Sequence, residues 1–287
     1  MRIIRAYNPY HLGDQIYNFI LFQKISQSLV SNNIEIHYYC PPQYIKQVAE
    51  FISPNVIIYK FPHGISYDGD EFGFRMHIGN DKLPLNLFNY KNNLYDEFYI
   101  EFYKQFLRMM NLPISPETIT SFDYQDANLL ERYNSLDPKF KNIDVLVINS
   151  TPQSNQYRAY DKGTWDYCIH ILANMGLNVV TTEKVSGVKC TMDNMYTLKT
   201  IAAISTGAKV IIAINTGPLS GCFNTYTLSN VKKIYVFDDR NNFAHPKITS
   251  ARYFYDIDTK EIMSYCTNFL TPKARRRVGS GGISMKL

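Results

Sequence analysis

The chain has 287 residues, which suits two domains of ~100–150 residues each better than one. Hydrophobic residues make up 45% and charged residues 19%, so a sizeable core can be buried and disorder is excluded as the default. The formal net charge of +5 suits anionic small molecules or a peripheral contact with a membrane surface, and is too weak to imply a nucleic-acid partner.

Residues 2–7 read as a short buried strand, and a turn follows at Asn8-Pro9-Tyr10-His11-Leu12-Gly13-Asp14. Over 16–30 the apolar residues Ile16, Phe19, Ile20, Phe22, Ile25 and Leu29 recur at helical spacing. A strand at 34–40, a helix opened by Pro41-Pro42 and a strand at 56–61 complete an alternation that implies a parallel sheet. Residues 62–94 look loop-rich, and their acidic turn Asp68-Gly69-Asp70-Glu71 reads as solvated rather than metal-binding. An aromatic helix is expected over 95–110, with Tyr95, Phe98, Tyr99, Phe102, Tyr103 and Phe106 packing in a core or between domains. A further helix is expected over 124–134.

A second alternating block starts at Asp144. Strands are expected at 145–148, 178–182, 209–214 and 234–237, and helices at 165–175, at 196–205 and from Ser220 onward. The implied division is an N-terminal domain over 1–140, a C-terminal domain over 141–270 and a flexible basic tail over 271–287. Five cysteines, widely spaced and without a Cys-x-x-Cys pair, read as free thiols in a reducing compartment. No signal peptide and no run of ~18 apolar residues is apparent, so a cytoplasmic location is expected.

Four segments can carry chemistry, all of them at the carboxyl ends of expected strands, where open parallel sheets bind ligands. In the first, Gly13 lets the chain turn, and Asp14 falls in the first helical turn, where it could accept a proton from a hydroxyl. On that turn alone, helix capping is the better account of Asp14. His11 sits in the same turn, placed to assist a phosphate or an acceptor. The second is Asn215-Thr216-Gly217-Pro218-Leu219-Ser220, whose amides and hydroxyls could form an anion nest. A polar loop with Ser150, Thr151, Gln153, Arg158 and Lys162 offers basic side chains for a diphosphate, and Glu183 could hold ribose hydroxyls. Each also has a bland reading, as an ordinary βα turn or a solvated loop.

Taken in order, these segments resemble the ADP-heptose:lipopolysaccharide heptosyltransferase family and its GT-B relatives. The resemblance runs through Gly13-Asp14, then Lys162 before a helix near Trp165, then Glu183, and then Asn215-Thr216-Gly217-Pro218 after a helix at 197–203. It implies an α/β fold of two Rossmann-like domains facing across a cleft. It also implies transfer of a sugar from a nucleotide-diphosphate donor to a hydroxyl of a glycan or lipid-linked glycan, inverting and without a metal. By this resemblance Asp14 is the general base, Lys162 and Thr151 contact the diphosphate, Glu183 binds the ribose, and Thr216, Gly217 and Ser220 surround the phosphates. Two positions depart from the pattern: Asn215 stands where the family has Asp, and Ser220 stands where a His usually follows. A non-catalytic nucleotide- or glycan-binding protein and a sugar-nucleotide epimerase are the rival readings.

Overall fold

The computed structural model describes residues 1–61, 72–78, 94–153, 156–240 and 242–267. The acidic turn at Asp68 and the 271–287 tail lie outside them. Two parallel sheets organise the chain. The first is built from β1 (Arg2–Tyr7), β2 (Ile34–Cys40), β3 (Val56–Lys60) and β4 (Phe74–Arg75), in the order β3-β2-β1-β4. Helices α1 (Leu12–Ser31) and α2 (Pro42–Val48) connect its first three strands. Both crossovers step in the same direction, and right-handed crossovers that do so lie on one face of the sheet. The strand residues on that face, such as Ile4, Ala6, Ile36 and Tyr38, are buried beneath them.

The aromatic helix α3 (Tyr95–Met109) adds Tyr99, Phe102, Tyr103 and Phe106 to the same core. Helix α4 (Asn128–Asn134) then leads to the second sheet. That sheet comprises β5 (Val145–Ile148), β6 (Val179–Thr181), β7 (Lys189–Cys190), β8 (Val210–Ile214), β9 (Lys233–Phe237) and β10 (Ile248–Ala251), in the order β10-β9-β8-β5-β6-β7. Its helices are α5 (Lys162–Asn174), α6 (Leu198–Ser205), α7 (Gly217–Cys222), α8 (Thr225–Asn230) and α9 (Thr259–Thr267).

Alternate strand residues enter different cores, as the twofold period of a strand requires. Val210, Ile212 and Ile214 pack outward with Trp165, Ile169, Phe237 and Ile262. Leu146, Ile148, Ile211 and Ala213 face inward, into a core that continues without a break to the first sheet. Polar ties reinforce this junction. Lys199 on α6 meets Asp126 at 2.6 Å and donates to the Glu50 carbonyl at 2.7 Å. Arg132 on α4 reaches Glu50 at 3.1 Å and Thr200 at 3.0 Å. The Asp96 carboxylate accepts from the Ala244 and His245 amides, both at 2.9 Å.

Several boundaries differ from the sequence expectation. The helix expected from residue 124 begins only at Asn128, because Tyr124 forms a parallel bridge to Asn224 and its hydroxyl donates to the Gly221 carbonyl at 2.8 Å. The Asp161 carboxylate accepts from the Thr164 amide and caps α5, so that helix starts at Lys162 rather than at Trp165. The helix expected from Ser220 is two short ones, α7 from Gly217 and α8 capped by Asn224. Strands β4, β7 and β10 and helix α9 were not anticipated; β4, within the stretch read as loop-rich, and β7 have only two residues each, and β10 reads Ile-Thr-Ser-Ala without a clear apolar pattern. All five cysteines are free thiols, and four of them are buried. Among the described residues, no helix is long and apolar enough to cross a membrane.

Candidate active site

Both sheets reverse direction at a defined point. From β1 the chain moves through β2 to β3 and then returns to place β4 on the other side of β1. From β5 it moves through β6 to β7 and returns to place β8 on the other side of β5. Such reversals open a crevice at the carboxyl ends of the central strands. The segments following β1, β5 and β8 line one shared cavity of about 480 Å³, a size suited to a small organic ligand.

The wall contributed by the first sheet is fixed by buried amides. The Asn8 side chain donates to the Met76 carbonyl at 2.5 Å and accepts from the Tyr10 amide at 2.9 Å. Gln15 donates to the Asn8 carbonyl at 3.0 Å. These bonds shape the turn and bring His11 to the N-cap of α1, where it makes no side-chain capping bond. Three residues later Asp14 faces the cavity, with 18% of its side chain exposed. The Tyr99 hydroxyl donates to its Oδ1 at 3.4 Å, and His77 Nε2 lies 3.9 Å away.

Burial pushes the Asp14 carboxyl up to about 6, against the opposing pull of His11 and of the Tyr99 hydrogen bond. Burial, with Arg75 and His11 adding to it, lowers His77 to about 4. His77 is therefore neutral at pH 7, and its contact with Asp14 is not an ion pair there. A carboxylate of raised basicity beside open space is matched to proton abstraction near neutral pH.

The opposite wall is the loop after β8. The Asn215 amide side chain donates to Asp238 Oδ2 at 2.5 Å, and the Thr216 hydroxyl donates to the Ile214 carbonyl at 3.2 Å. Gly217 opens α7, with Pro218 next to it in the first turn, where its missing N–H costs nothing. A Cβ on Gly217 would stand 2.9 Å from Leu12 Cγ, and a Cβ on Gly13 would stand 3.4 Å from Ser220 Oγ. These two glycines let the first turns of α1 and α7 approach closely, so the cavity is walled by both sheets at once.

The third wall joins the loops after β5 and β6. The Asn149 side-chain oxygen Oδ1 accepts from the Thr182 and Glu183 backbone amides at 3.1 and 2.8 Å, and its Nδ2 donates to the Glu183 backbone carbonyl at 3.2 Å. The Thr151 amide donates to the Glu183 carboxylate at 3.1 Å. Thr151 and Glu183 thus sit together on the lining with His11, Gly13, Asp14, Asn215, Thr216, Gly217, Pro218 and Ser220.

Arg158 and Lys162 are placed elsewhere. Lys162 is exposed and paired with Asp166 at 2.5 Å, while the Arg158 backbone amide donates to Asp239 at 2.6 Å. Neither lines the cavity, and among the described residues no Lys or Arg does. Sequence reasoning missed Asn149 and Asp238, which brace the loops, and Tyr44, Gln47, Tyr196 and Thr197, which line the cavity. Of the aromatic helix, Tyr95 reaches the cavity and Tyr99 reaches Asp14, while Tyr17 stacks on Tyr99 with ring centroids 3.8 Å apart. The density of aromatics in α3 was visible in sequence, but not which ring turns toward the crevice. Among the described residues, no group of three or more His, Cys, Asp or Glu side chains is arranged to hold a metal.

Two parallel sheets with a cavity at their facing switch points define the GT-B arrangement. The chain has the fold of heptosyltransferase-type GT-B glycosyltransferases: E. coli heptosyltransferase WaaC with ADP superposes with a TM-score of 0.52 at 14% identity, over 88% of this chain and 91% of that one. A glycosyl transferase family 9 protein from Veillonella parvula matches at a TM-score of 0.45 and 12% identity, over 92% of this chain and 90% of that one. The iron-containing dodecameric glycosyltransferase TibC from enterotoxigenic E. coli matches at 0.48 and 11%, over 86% of this chain and 62% of that one. No protein-family model matches the sequence, and no curated protein matches it by sequence.

Proposed function

We propose that this protein is a glycosyltransferase that moves a sugar from a nucleotide-diphosphate-sugar to a hydroxyl of a glycan or lipid-linked glycan. The observation that carries the reading is the position of Asp14. Its basic carboxylate faces, across one cavity, the polar loop Asn215–Ser220 supplied by the other sheet.

In this reading the donor lies on the second sheet. Glu183 accepts hydrogen bonds from the ribose hydroxyls. Thr151, Thr216, Gly217 and Ser220 surround the diphosphate, and the uncapped first turn of α1 adds amide N–H groups from the other side. The acceptor hydroxyl enters beside Asp14, its oxygen attacks the anomeric carbon, and its proton passes to the Asp14 carboxylate. The bond from the anomeric carbon to the diphosphate oxygen breaks, and the leaving diphosphate takes the electron pair. Amides and hydroxyls that are already oriented stabilise the charge developing there, and the reading requires no metal. A single displacement of this kind inverts the anomeric centre. His11, at the junction of the two walls, serves the phosphate or the acceptor.

The decisive test is a thermal-shift screen with nucleoside diphosphates and nucleotide-sugars. A ligand that binds the native state stabilises it by about 2.7 kcal/mol at a hundredfold excess over Kd, so Tm rises in a concentration-dependent way. Sugar transfer to a hydroxyl acceptor is then followed with the stabilising donor. No shift with any nucleotide would overturn the donor assignment, and a donor altered without any acceptor would favour an epimerase.

A further inference from the structure

We propose that Asp238 is a positioning residue that turns the Asn215 carboxamide so that its carbonyl oxygen faces the cavity, making Asn215 the acceptor for a hydroxyl of the donor sugar. The inference rests on the donor reading above and goes beyond it by separating sugar recognition from phosphate recognition within one loop.

Asn215 stands at the carboxyl end of β8, is only 5% exposed and lines the cavity. Its backbone N–H donates to the Phe237 carbonyl at 3.2 Å, and its side-chain amide donates to Asp238 Oδ2 at 2.5 Å. Asp238 follows β9 and is 3% exposed, and its other oxygen accepts from the Arg240 amide at 2.7 Å. An ionised carboxylate only accepts hydrogen bonds, so only the NH₂ end of the carboxamide can face it. The reversed orientation would set a carbonyl oxygen against a buried carboxylate and leave the amide unpaired. The orientation is therefore fixed by chemistry. Among the described residues no protein group donates to the Asn215 carbonyl oxygen that remains.

That oxygen selects its ligand. Phosphate oxygens near neutral pH carry negative charge and offer no hydrogen, so they find no partner in it. A sugar hydroxyl does. The surrounding charges favour the same arrangement. The cavity already has two carboxylates on its lining, Asp14 and Glu183, and no Lys or Arg among the described residues. On this lining a third carboxylate at position 215 would add negative charge beside the diphosphate with no Lys or Arg among the described residues to offset it, and like-charge repulsion grows in a poorly solvated site. A neutral acceptor backed by a buried acid keeps the hydroxyl contact without placing that charge on the cavity wall.

The experiment compares dissociation constants of ADP, GDP and UDP with those of their glucose and mannose conjugates, by titration calorimetry. It uses the wild type, Asn215→Ala, Asp238→Ala and the double variant. Both single variants are expected to weaken the preferred conjugate by about 3–10-fold, the range of one hydrogen bond, and to leave its parent nucleotide within about twofold. The double variant should lose no more than either single one, because Asp238 acts through Asn215. Asp238→Ser, which keeps an acceptor for the Arg240 amide but is too short to hold the carboxamide, should show the same selective loss if Asp238→Ala fails to fold. Equal weakening of conjugate and parent would overturn the proposal in favour of a role in loop shape, as would unchanged conjugate binding in the Asp238 variants. A wild type that binds no nucleoside diphosphate at all defeats the donor reading itself, and the inference with it.

Discussion

The two sheets of this protein solve the burial problem differently. In the six-stranded sheet every residue of β5 and β8 is buried, because one face packs under α5 and α9 and the other turns toward the shared core. In the four-stranded sheet one face is buried, while on the other Ile3, Ile57 and Tyr59 are 47%, 40% and 37% exposed. The sequences differ accordingly. Val-Leu-Val-Ile and Val-Ile-Ile-Ala-Ile are unbroken apolar runs, as strands covered on both faces require, whereas Ile-Glu-Ile-His-Tyr-Tyr-Cys alternates. The proposed function divides along the same line. The half-covered sheet brings the proposed base, on a turn held by Asn8 and Gln15, and the fully covered sheet brings the loops proposed to hold the donor.

Three predictions sharpen or break this division. The largest effect is expected at Asp14. Asp14→Asn should lower kcat by about 10²–10⁴, the usual contribution of a general base, while donor affinity on the second sheet stays unchanged. The wild-type rate should rise with pH along an acid limb near 6, since the base works only when deprotonated. Stability should move the other way. The folded pKa of Asp14 is raised above its ordinary value of 3.8, so the native state holds the proton more tightly, and stability falls as pH climbs from about 4 to 6. Asp14→Asn should remove that slope. Kinetic pH profiles and urea unfolding at several pH values check both expectations, and a flat pH–rate profile through this window would refute the assignment.

The next effect concerns the sheets themselves. Ile212→Ala, in a strand buried on both faces, should cost ~2–5 kcal/mol. Ile57→Ala, on the open face, should cost less than about 1 kcal/mol. Equal losses in denaturant melts would mean that the first sheet is covered in solution after all. The smallest effect is expected at Lys162, whose exposed pair with Asp166 is worth ~0.3–0.5 kcal/mol. Lys162→Ala should change donor affinity by less than about twofold, and a tenfold loss would show that this side chain leaves Asp166 for the diphosphate.

Much of the architecture was legible because it is written in local periodicity. The alternation of strands and helices through residues 2–60 and 145–237 follows from spacing alone, as does the placing of Gly13-Asp14 and Asn215–Ser220 just after strands. Elements held by distant partners were not legible. Tyr124 is kept out of a helix by Asn224 and Gly221, and the two-residue strand β7 exists only because β6 lies beside it. The site divides in the same way.

Sequence by itself determined that this chain forms two parallel α/β sheets and which turns lie at their carboxyl ends, since apolar spacing and turn chemistry act within a few residues. Tertiary structure alone decided that those turns share one cavity, that Lys162 pairs with Asp166, and that Gly217 is small to admit Leu12. It also decided that Asp14 is basic and that the Asn215 amide is held by Asp238. Desolvation, close approach and hydrogen-bond orientation depend on neighbours brought from far along the chain, and no local pattern of residues encodes them.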